Sequence, residues 1–173
     1  MTTIVEQAVE TQTYRVYIKA SPEAVWDAIT SAEQTERYGY RSRSEYELHP
    51  GGAYRGFSNE GMRAMGSPDV VVDGEVLEAE APHRLVQTWN PYFDPTTTAE
   101  PPTRLTWEID RAANGVTRVS VTHELDDAPL TAQFVGGFMA NTGGGWAMIL
   151  SDLKSLLETG EPLTDDGLVD MGC

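Results

Sequence analysis

Alternation of apolar and polar residues predicts a β-hairpin in the second half of the chain. Residues 117–125 alternate strictly, with valines and His123 in the apolar register. A period of two residues is typical of a strand that buries one face. Residues 104–110 show the same pattern, and Asn114-Gly115 between the two segments is a strong signal for a tight turn. The two segments are therefore predicted to pair as antiparallel strands.

Shorter patterned segments predict the rest of a sheet. Residues 14–19 alternate in the same way and form the first predicted strand. Residues 44–58 are interpreted as a hairpin that turns at Pro50-Gly51-Gly52. Apolar runs at 70–77 and 85–89 predict further strands.

Two short helices and one long helix are predicted around these strands. Ser21-Pro22-Glu23 combines a capping serine, a proline at the first helical position and an acidic residue in the first turn. Ser31 is predicted to open a second short helix. Apolar residues between 146 and 157 recur at the spacing of one helix face, and Gly160 is placed to end that last helix.

The order of these elements predicts an α+β fold in a single domain. Short turns require antiparallel neighbours, and the apolar face of the C-terminal helix needs a surface that buries it. We therefore predict a curved antiparallel sheet of about six to seven strands wrapped round that helix, which leaves room for a pocket. Residues 13–163 form this predicted domain, between a flexible N-terminal arm at 1–12 and a disordered acidic tail at 164–173.

The chain contains in this order the segments Ser21-Pro22-Glu23-Ala24-Val25-Trp26, Pro50-Gly51-Gly52-Ala53-Tyr54, Pro82-His83-Arg84-Leu85 and Gly144-Gly145-Trp146. With these segments it resembles a known family, the bacterial stand-alone members of the heat-shock-protein-90 ATPase activator homologue-like family. That family lies within the START/Bet v 1-like (SRPBCC) superfamily. The resemblance implies a helix-grip fold with a cavity. It does not imply chaperone activation, because the eukaryotic members that give the family its name carry extra domains.

Charge and cysteine content exclude several classes of function. The formal net charge is -15 at pH 7, whereas binding to nucleic acid or to anionic membranes relies on Lys and Arg. Cys173 is the only cysteine, so no internal disulfide is expected. Residues 1–12 lack the apolar run of a signal peptide. We expect a cytoplasmic protein with no nucleic-acid partner and no membrane insertion.

Residues with typical catalytic or metal-binding chemistry are few. His49, His83 and His123 lie on separate predicted elements without the spacing of metal ligands. The sequence therefore predicts no metal, no cofactor and no assigned catalytic residue. His123 is of interest because its position in the alternating pattern predicts that its side chain points inward. Three roles are open for it: a core histidine satisfied by protein groups, a hydrogen-bonding group for a ligand, or an acid/base catalyst.

Aromatic side chains are the best candidates for a pocket lining. Trp and Tyr bury a large apolar area and keep an N–H or O–H that needs a partner, which a ligand can supply. Packing in an ordinary core is the alternative role for each of them. The predicted pocket residues are Tyr38, Tyr40, Phe57, Trp89, Trp107, His123, Phe138 and Trp146.

The predicted function is binding or carriage of a small, largely apolar molecule of an aromatic or polyketide-like kind. One alternative is a cyclase- or aromatase-type enzyme, in which His123 moves a proton. Such an enzyme needs two or more polar groups against the same void, whereas a carrier needs walls and one anchor, and we favour the carrier. A second alternative is a co-chaperone-like interaction domain. A homodimer is the assembly considered.

Overall fold

The computed structural model describes residues 10–138 and 143–164 of the chain. Its element order in these residues confirms the predicted α+β class. Residues 1–9 of the predicted arm and residues 165–173 of the predicted tail lie outside the described residues. The described strands are β1 (Thr11–Ile18), β2 (Ser44–Tyr46), β3 (Ala53–Phe57), β4 (Val70–Glu80), β5 (Arg84–Pro91), β6 (Thr103–Ala113) and β7 (Val116–Glu124). The described helices are α1 (Pro22–Thr30), α2 (Ala32–Thr35), α3 (Glu60–Ala64), α4 (Pro95–Thr98), α5 (Pro129–Val135) and α6 (Gly145–Thr159).

The described strands form one curved antiparallel sheet in the order β1-β7-β6-β5-β4-β3-β2. Strands β2 to β7 each pair with their neighbours in sequence, and β1 adds at the free edge of β7. Val121 lies opposite Tyr14 on one side and Trp107 on the other, and Trp107 lies opposite Leu85. Because side chains alternate between the two faces of a strand, this register gathers apolar residues on the concave face.

Two short helices follow β1, as the sequence predicts. The Ser21 hydroxyl accepts a hydrogen bond from the Ala24 N–H at 3.1 Å and caps α1. Helix α1 buries Val25, Ala28 and Ile29, which join the hydrophobic core. The helix pair thus covers part of the apolar surface that the sheet presents.

Helix α6 packs against the sheet, mainly at β1. Its buried side chains include Trp146, Leu150, Leu153 and Leu156, which form the apolar stripe that the spacing predicts. Full burial of such a side chain contributes roughly 1.5–3 kcal/mol. The helix ends at Gly160, whose φ of 83° belongs to the left-handed region that favours glycine.

The N-terminal boundary of the domain differs from the prediction. Residues 11 and 12, which the sequence places in the arm, belong to β1: Thr11 pairs with Glu124, and Gln12 pairs with His123. The Gln12 side-chain amide also donates to the Ala132 carbonyl at 3.0 Å. The polar side chains at 11–13 give no alternating signal, so backbone pairing extends the strand beyond the pattern.

A buried carboxylate fastens α6 to the loop between α2 and β2. Asp152 is fully buried. One of its oxygens accepts the Gly39 N–H at 2.7 Å, and the other accepts the Leu163 N–H at 2.6 Å. The Arg41 guanidinium lies 3.5 Å from the oxygen that accepts Gly39. These contacts hold the loop in place beside the helix.

We predict that Asp152→Asn lowers the free energy of unfolding by about 1–3 kcal/mol, because an amide NH₂ cannot accept one of these two backbone N–H groups. Urea denaturation at pH 7 measures the effect. Asp126→Asn changes an exposed carboxylate and should stay within about 0.5 kcal/mol of wild type. Equal stability of the two variants would contradict the role of Asp152.

Candidate functional site

A pocket of about 320 Å³ lies between the concave face of the sheet and helix α6. Its floor includes Trp89, Leu105 and Trp107 from β5 and β6, and Trp146 and Ile149 of α6 form part of the opposite wall. The volume falls within the roughly 300–1,000 Å³ typical of small-molecule sites. Side chains therefore do not fill the whole interior between helix and sheet.

Tyrosines form a second wall of the pocket. Tyr38 and Tyr40 come from the loop that Asp152 fastens, and Tyr46 and Tyr54 come from the hairpin of β2 and β3. The rings of Tyr46 and Tyr54 stack with their centroids 4.6 Å apart. Strand register explains this pair, because Tyr46 lies directly opposite Tyr54.

The short helix α3 lies where the pocket meets the surface. Met62 in α3 and Met65 just after it line the pocket, and both also line a neighbouring surface depression. Met65 is 85% exposed, and α3 contributes no buried residue. The mouth of the pocket is therefore bordered by flexible, apolar thioether side chains.

Five of the eight predicted pocket residues line this pocket, and three are placed elsewhere. The five are Tyr38, Tyr40, Trp89, Trp107 and Trp146. Phe57 lines the neighbouring surface depression, because it lies three positions after the inward-facing Tyr54 on β3. Phe138 is 80% exposed, and its ring folds back against Gly136, 2.7 Å from the position that a Cβ there would occupy.

The sequence missed Phe93 and Phe134, which also line the pocket. Their ring centroids lie 4.7 Å apart, and Phe134 also stacks with Tyr40 at 6.1 Å. Phe134 lies in α5, which begins at Pro129. Proline at a first helical position was the available signal.

His123 lies in the core, outside the described pocket lining, with both ring nitrogens engaged by protein groups. The Trp146 indole N–H can only donate, so it donates to Nδ1, at 3.1 Å. The proton of the neutral ring then sits on Nε2 and is donated to the Thr103 hydroxyl at 2.7 Å. Thr103 in turn donates to the Trp89 carbonyl at 2.8 Å. This geometry matches the core-histidine role.

The same burial keeps the His123 ring neutral. It lowers the pKa of His123 from its ordinary 6.5 to about 3, because an apolar environment disfavours the charged ring. At neutral pH the ring therefore carries one proton and holds Trp89 and Trp146, two pocket residues, through the hydrogen-bond chain. We call this chain, Trp146–His123–Thr103–Trp89, the histidine hydrogen-bond chain.

Two buried polar groups near the pocket have no hydrogen-bond partner among the described residues. They are the side-chain amide of Gln87 and the indole N–H of Trp107. Gln87 is fully buried and shares the inward register of β5 with Leu85 and Trp89. Trp107 lines the pocket and packs edge-on against Trp146 at 5.4 Å. Gln87 was missed, although a polar residue in an apolar register is the signal that singled out His123.

The pocket is polar only through neutral groups. Among the described lining residues no side chain of Asp, Glu, Lys, Arg or His occurs. Burial raises the pKa of Tyr46 and raises that of Tyr54 to about 12, although hydrogen bonding with Ser44, Trp89 and Tyr46 lowers the latter in part. Both hydroxyls therefore stay protonated at neutral pH.

Family and fold comparisons agree with this architecture. A family model described as Activator of Hsp90 ATPase homolog 1-like protein matches residues 19–158. The chain belongs to this family. The matched segment contains every described residue that lines the pocket. No curated protein matches the chain.

Solved structures of other proteins share the fold. SSP2350 from Staphylococcus saprophyticus is 18% identical, with a TM-score of 0.64 over 89% of this chain and 96% of that one. PFC0360w, an HSP90 activator from Plasmodium falciparum, is 19% identical, with a TM-score of 0.60 over 85% and 95%. The Aha1 dimer from Colwellia psychrerythraea is 19% identical, with a TM-score of 0.58 over 87% and 98%. The helix-grip fold that the resemblance implies is confirmed.

Two further observations describe this family member. In residues 10–138 and 143–164 no group of three or more His, Cys, Asp or Glu side chains is arranged to hold a metal ion. None of the helices in the same part of the chain has the length and apolar character needed to span a bilayer.

The buried His123 ring of the histidine hydrogen-bond chain predicts a pH dependence of the free energy of unfolding. Between pH 6.5 and about 3 the unfolded chain carries a proton on His123 that the folded protein lacks. Stability should therefore fall as the pH falls through this window, by about 1.4 kcal/mol per pH unit from this group. His123→Asn removes the titrating ring and should remove that part of the slope, measured by urea denaturation from pH 7 to pH 4.

His49→Asn serves as the matched control, because His49 is an exposed histidine. Its slope should equal that of wild type. A His123→Asn variant that keeps the full wild-type slope would show that His123 is protonated in the folded protein.

Proposed function

We propose that this protein binds a small, neutral, largely apolar molecule in the pocket and acts as a carrier or binding protein. The observation that carries the proposal is the pocket itself, a space of about 320 Å³ walled by aromatic rings and bordered by no charged side chain in the described lining. Flat walls such as Trp89, Trp107 and Phe134 suit a ring system, of an aromatic or polyketide-like kind, because offset and edge-on ring contacts are favourable.

We expect the ligand to be neutral, because a charged group would lose its hydration on entering the pocket. A carboxylate or ammonium group that enters an apolar pocket loses its hydration, and only an opposite charge or several hydrogen bonds can offset that loss. The described lining offers tyrosine and serine hydroxyls and indole N–H groups but no cation or anion. Apolar surface, in contrast, gains about 25 cal/mol for each Å² removed from water.

A binding role is better supported than acid/base catalysis. The cyclase-type alternative relied on His123, whose two nitrogens are occupied by Trp146 and Thr103. The pocket hydroxyls of Tyr46 and Tyr54 have raised pKa values, because burial disfavours the phenolate. General-base chemistry at neutral pH needs a pKa closer to that pH.

A co-chaperone-like role is the other alternative, and one compared structure is called an HSP90 activator. The pocket described above lies in the interior of the domain, whereas binding to a chaperone uses the exterior. We therefore place the ligand-binding role first.

A matched pair of dyes tests the proposal. N-phenyl-1-naphthylamine is neutral and fluoresces in apolar surroundings, and 8-anilinonaphthalene-1-sulfonate is the same ring system with a sulfonate. The neutral dye should bind saturably with one site per chain. The sulfonate should bind about tenfold more weakly or worse, because its charge has no partner in the pocket.

Ile149→Trp should weaken binding of the neutral dye about tenfold, because the larger ring occupies the space beside Gly39 at the pocket wall. Ala147→Trp adds the same ring at an exposed position of α6 and should leave the affinity unchanged. Absence of saturable binding by wild type, or equal effects of the two tryptophans, would rule out binding in this pocket.

Native mass spectrometry of protein purified from its own host gives a second readout. We expect a non-covalent adduct of a neutral small molecule on the wild-type protein and a reduced adduct on Ile149→Trp. The same spectra report whether the protein is a monomer or a homodimer. A wild-type spectrum without an adduct, from cells grown under several conditions, would count against a carrier role.

A further inference from the structure

We propose that Tyr46 and Tyr54 form an anchor that donates hydrogen bonds to a carbonyl oxygen of the bound molecule, with Gln87 as the positioning residue behind them. The inference rests on the proposed function and narrows its ligand class. The expected ligand is a neutral ring compound with a ketone or quinone carbonyl.

The two tyrosine hydroxyls lie in a small polar region of an otherwise apolar pocket. Tyr46 and Tyr54 stack on each other on adjacent strands. Ser44 on β2 and Trp89 on β5 also line the pocket. Ser44, Tyr46 and Tyr54 therefore bring hydroxyls to the part of the wall that β2 and β3 form, while Leu105 of β6 and Ile149 of α6 supply apolar surface.

Gln87 lies next to this region and is otherwise difficult to explain. Its amide is close enough to the Tyr46 hydroxyl to influence the pKa of that group, yet neither amide atom is in hydrogen-bond geometry with any described residue. A buried amide without a partner costs roughly 1–3 kcal/mol, and such groups in folded proteins call for an explanation. An inward register between Leu85 and Trp89 would ordinarily hold an apolar side chain.

A role in ligand binding explains Gln87. While the Tyr46 hydroxyl donates a hydrogen bond to a ligand, its oxygen can also accept one, and the Gln87 NH₂ is the neighbouring donor. Gln87 is fully buried and does not line the pocket, so it acts through Tyr46. A hydroxyl that accepts one hydrogen bond becomes a better donor for the next.

The donors that line this part of the pocket favour a carbonyl. The indole N–H groups of Trp89 and Trp107 can only donate, and Trp107 has no partner among the described residues. Trp107 lies diagonally from Gln87 across the pairing of β5 and β6, within reach for a large side chain. The pocket-lining hydroxyls of Tyr46 and Tyr54 and the Trp107 N–H are therefore donors that a ligand acceptor can engage. A carbonyl oxygen accepts two hydrogen bonds and carries no charge, so it matches the region and the neutral lining together.

Two naphthalenes separate carbonyl recognition from apolar binding. Prodan (6-propionyl-2-dimethylaminonaphthalene) carries a ketone, and 2-dimethylaminonaphthalene is the same fluorophore without it. Wild type should bind Prodan about tenfold more tightly than its partner compound. Prodan emission should also lie at longer wavelength than in a dry apolar solvent, because a hydrogen bond to the ketone shifts it to the red.

Removing the donors should abolish this preference. Tyr46→Phe and Tyr54→Phe should each weaken Prodan binding about tenfold and shift its emission to the blue, with less than about a twofold change for 2-dimethylaminonaphthalene. Tyr38→Phe is the matched control, because that hydroxyl already donates to the Ala28 carbonyl at 2.9 Å. It should leave the ratio of the two affinities unchanged.

Gln87→Leu separates a positioning role from a structural one. Replacing an amide without a partner by an apolar side chain should leave the urea midpoint unchanged or raise it. The same variant should weaken Prodan binding about threefold to tenfold and leave 2-dimethylaminonaphthalene unaffected. A Gln87→Leu protein that is less stable than wild type yet binds Prodan normally would overturn the role of Gln87.

These experiments distinguish failure of the Tyr46–Tyr54 anchor from failure of the proposed binding function. Equal affinity of wild type for Prodan and 2-dimethylaminonaphthalene, while N-phenyl-1-naphthylamine still binds saturably, overturns the anchor and leaves the proposed function standing. Loss of binding of all three compounds overturns both. A Prodan preference that survives in Tyr46→Phe and Tyr54→Phe shows that another group recognises the carbonyl.

Discussion

The hydrogen bond from the Trp146 indole to His123 fixes helix α6 over the concave face of the sheet. Through Thr103 the same chain reaches the backbone of β5 at Trp89. Apolar packing alone is not directional, whereas this chain sets the position of the helix relative to three strands. The pocket is the space left at that separation, so its depth depends on a histidine that does not line it.

The walls of the pocket are also the core of the domain. Trp89, Leu105 and Trp107 belong to the buried hydrophobic cluster and to the pocket lining. Side chains that line an unfilled space lose dispersion contacts on one face, and this lowers the stability of the free protein. A molecule that fills the space restores those contacts, so binding and stability are linked in this fold.

Much of the fold was predictable from the sequence, and less of the site. Alternation at 117–125 and the helical spacing after Trp146 identify elements whose burial is decided by periodicity. Phe57 and Phe138 do not line the pocket as predicted. Composition alone does not say which face of a strand end the Phe57 ring takes. It also does not say on which side of a glycine turn the Phe138 ring lies. The alternation along β5 places Gln87 on the buried face, but only the tertiary structure shows that its side-chain amide lacks a hydrogen-bond partner.

Helix α3 buries no side chain, and this affects the rates at which a ligand would enter and leave the pocket. A wall segment that contributes no buried side chain opens locally at little free-energy cost. Met62 and Met65 lie on or beside this segment, whereas Trp107 at the floor is buried. Under the proposed function, the rim governs how fast a ligand enters and leaves and the floor governs which ligand binds, so substitutions in different parts of the chain change the two properties independently.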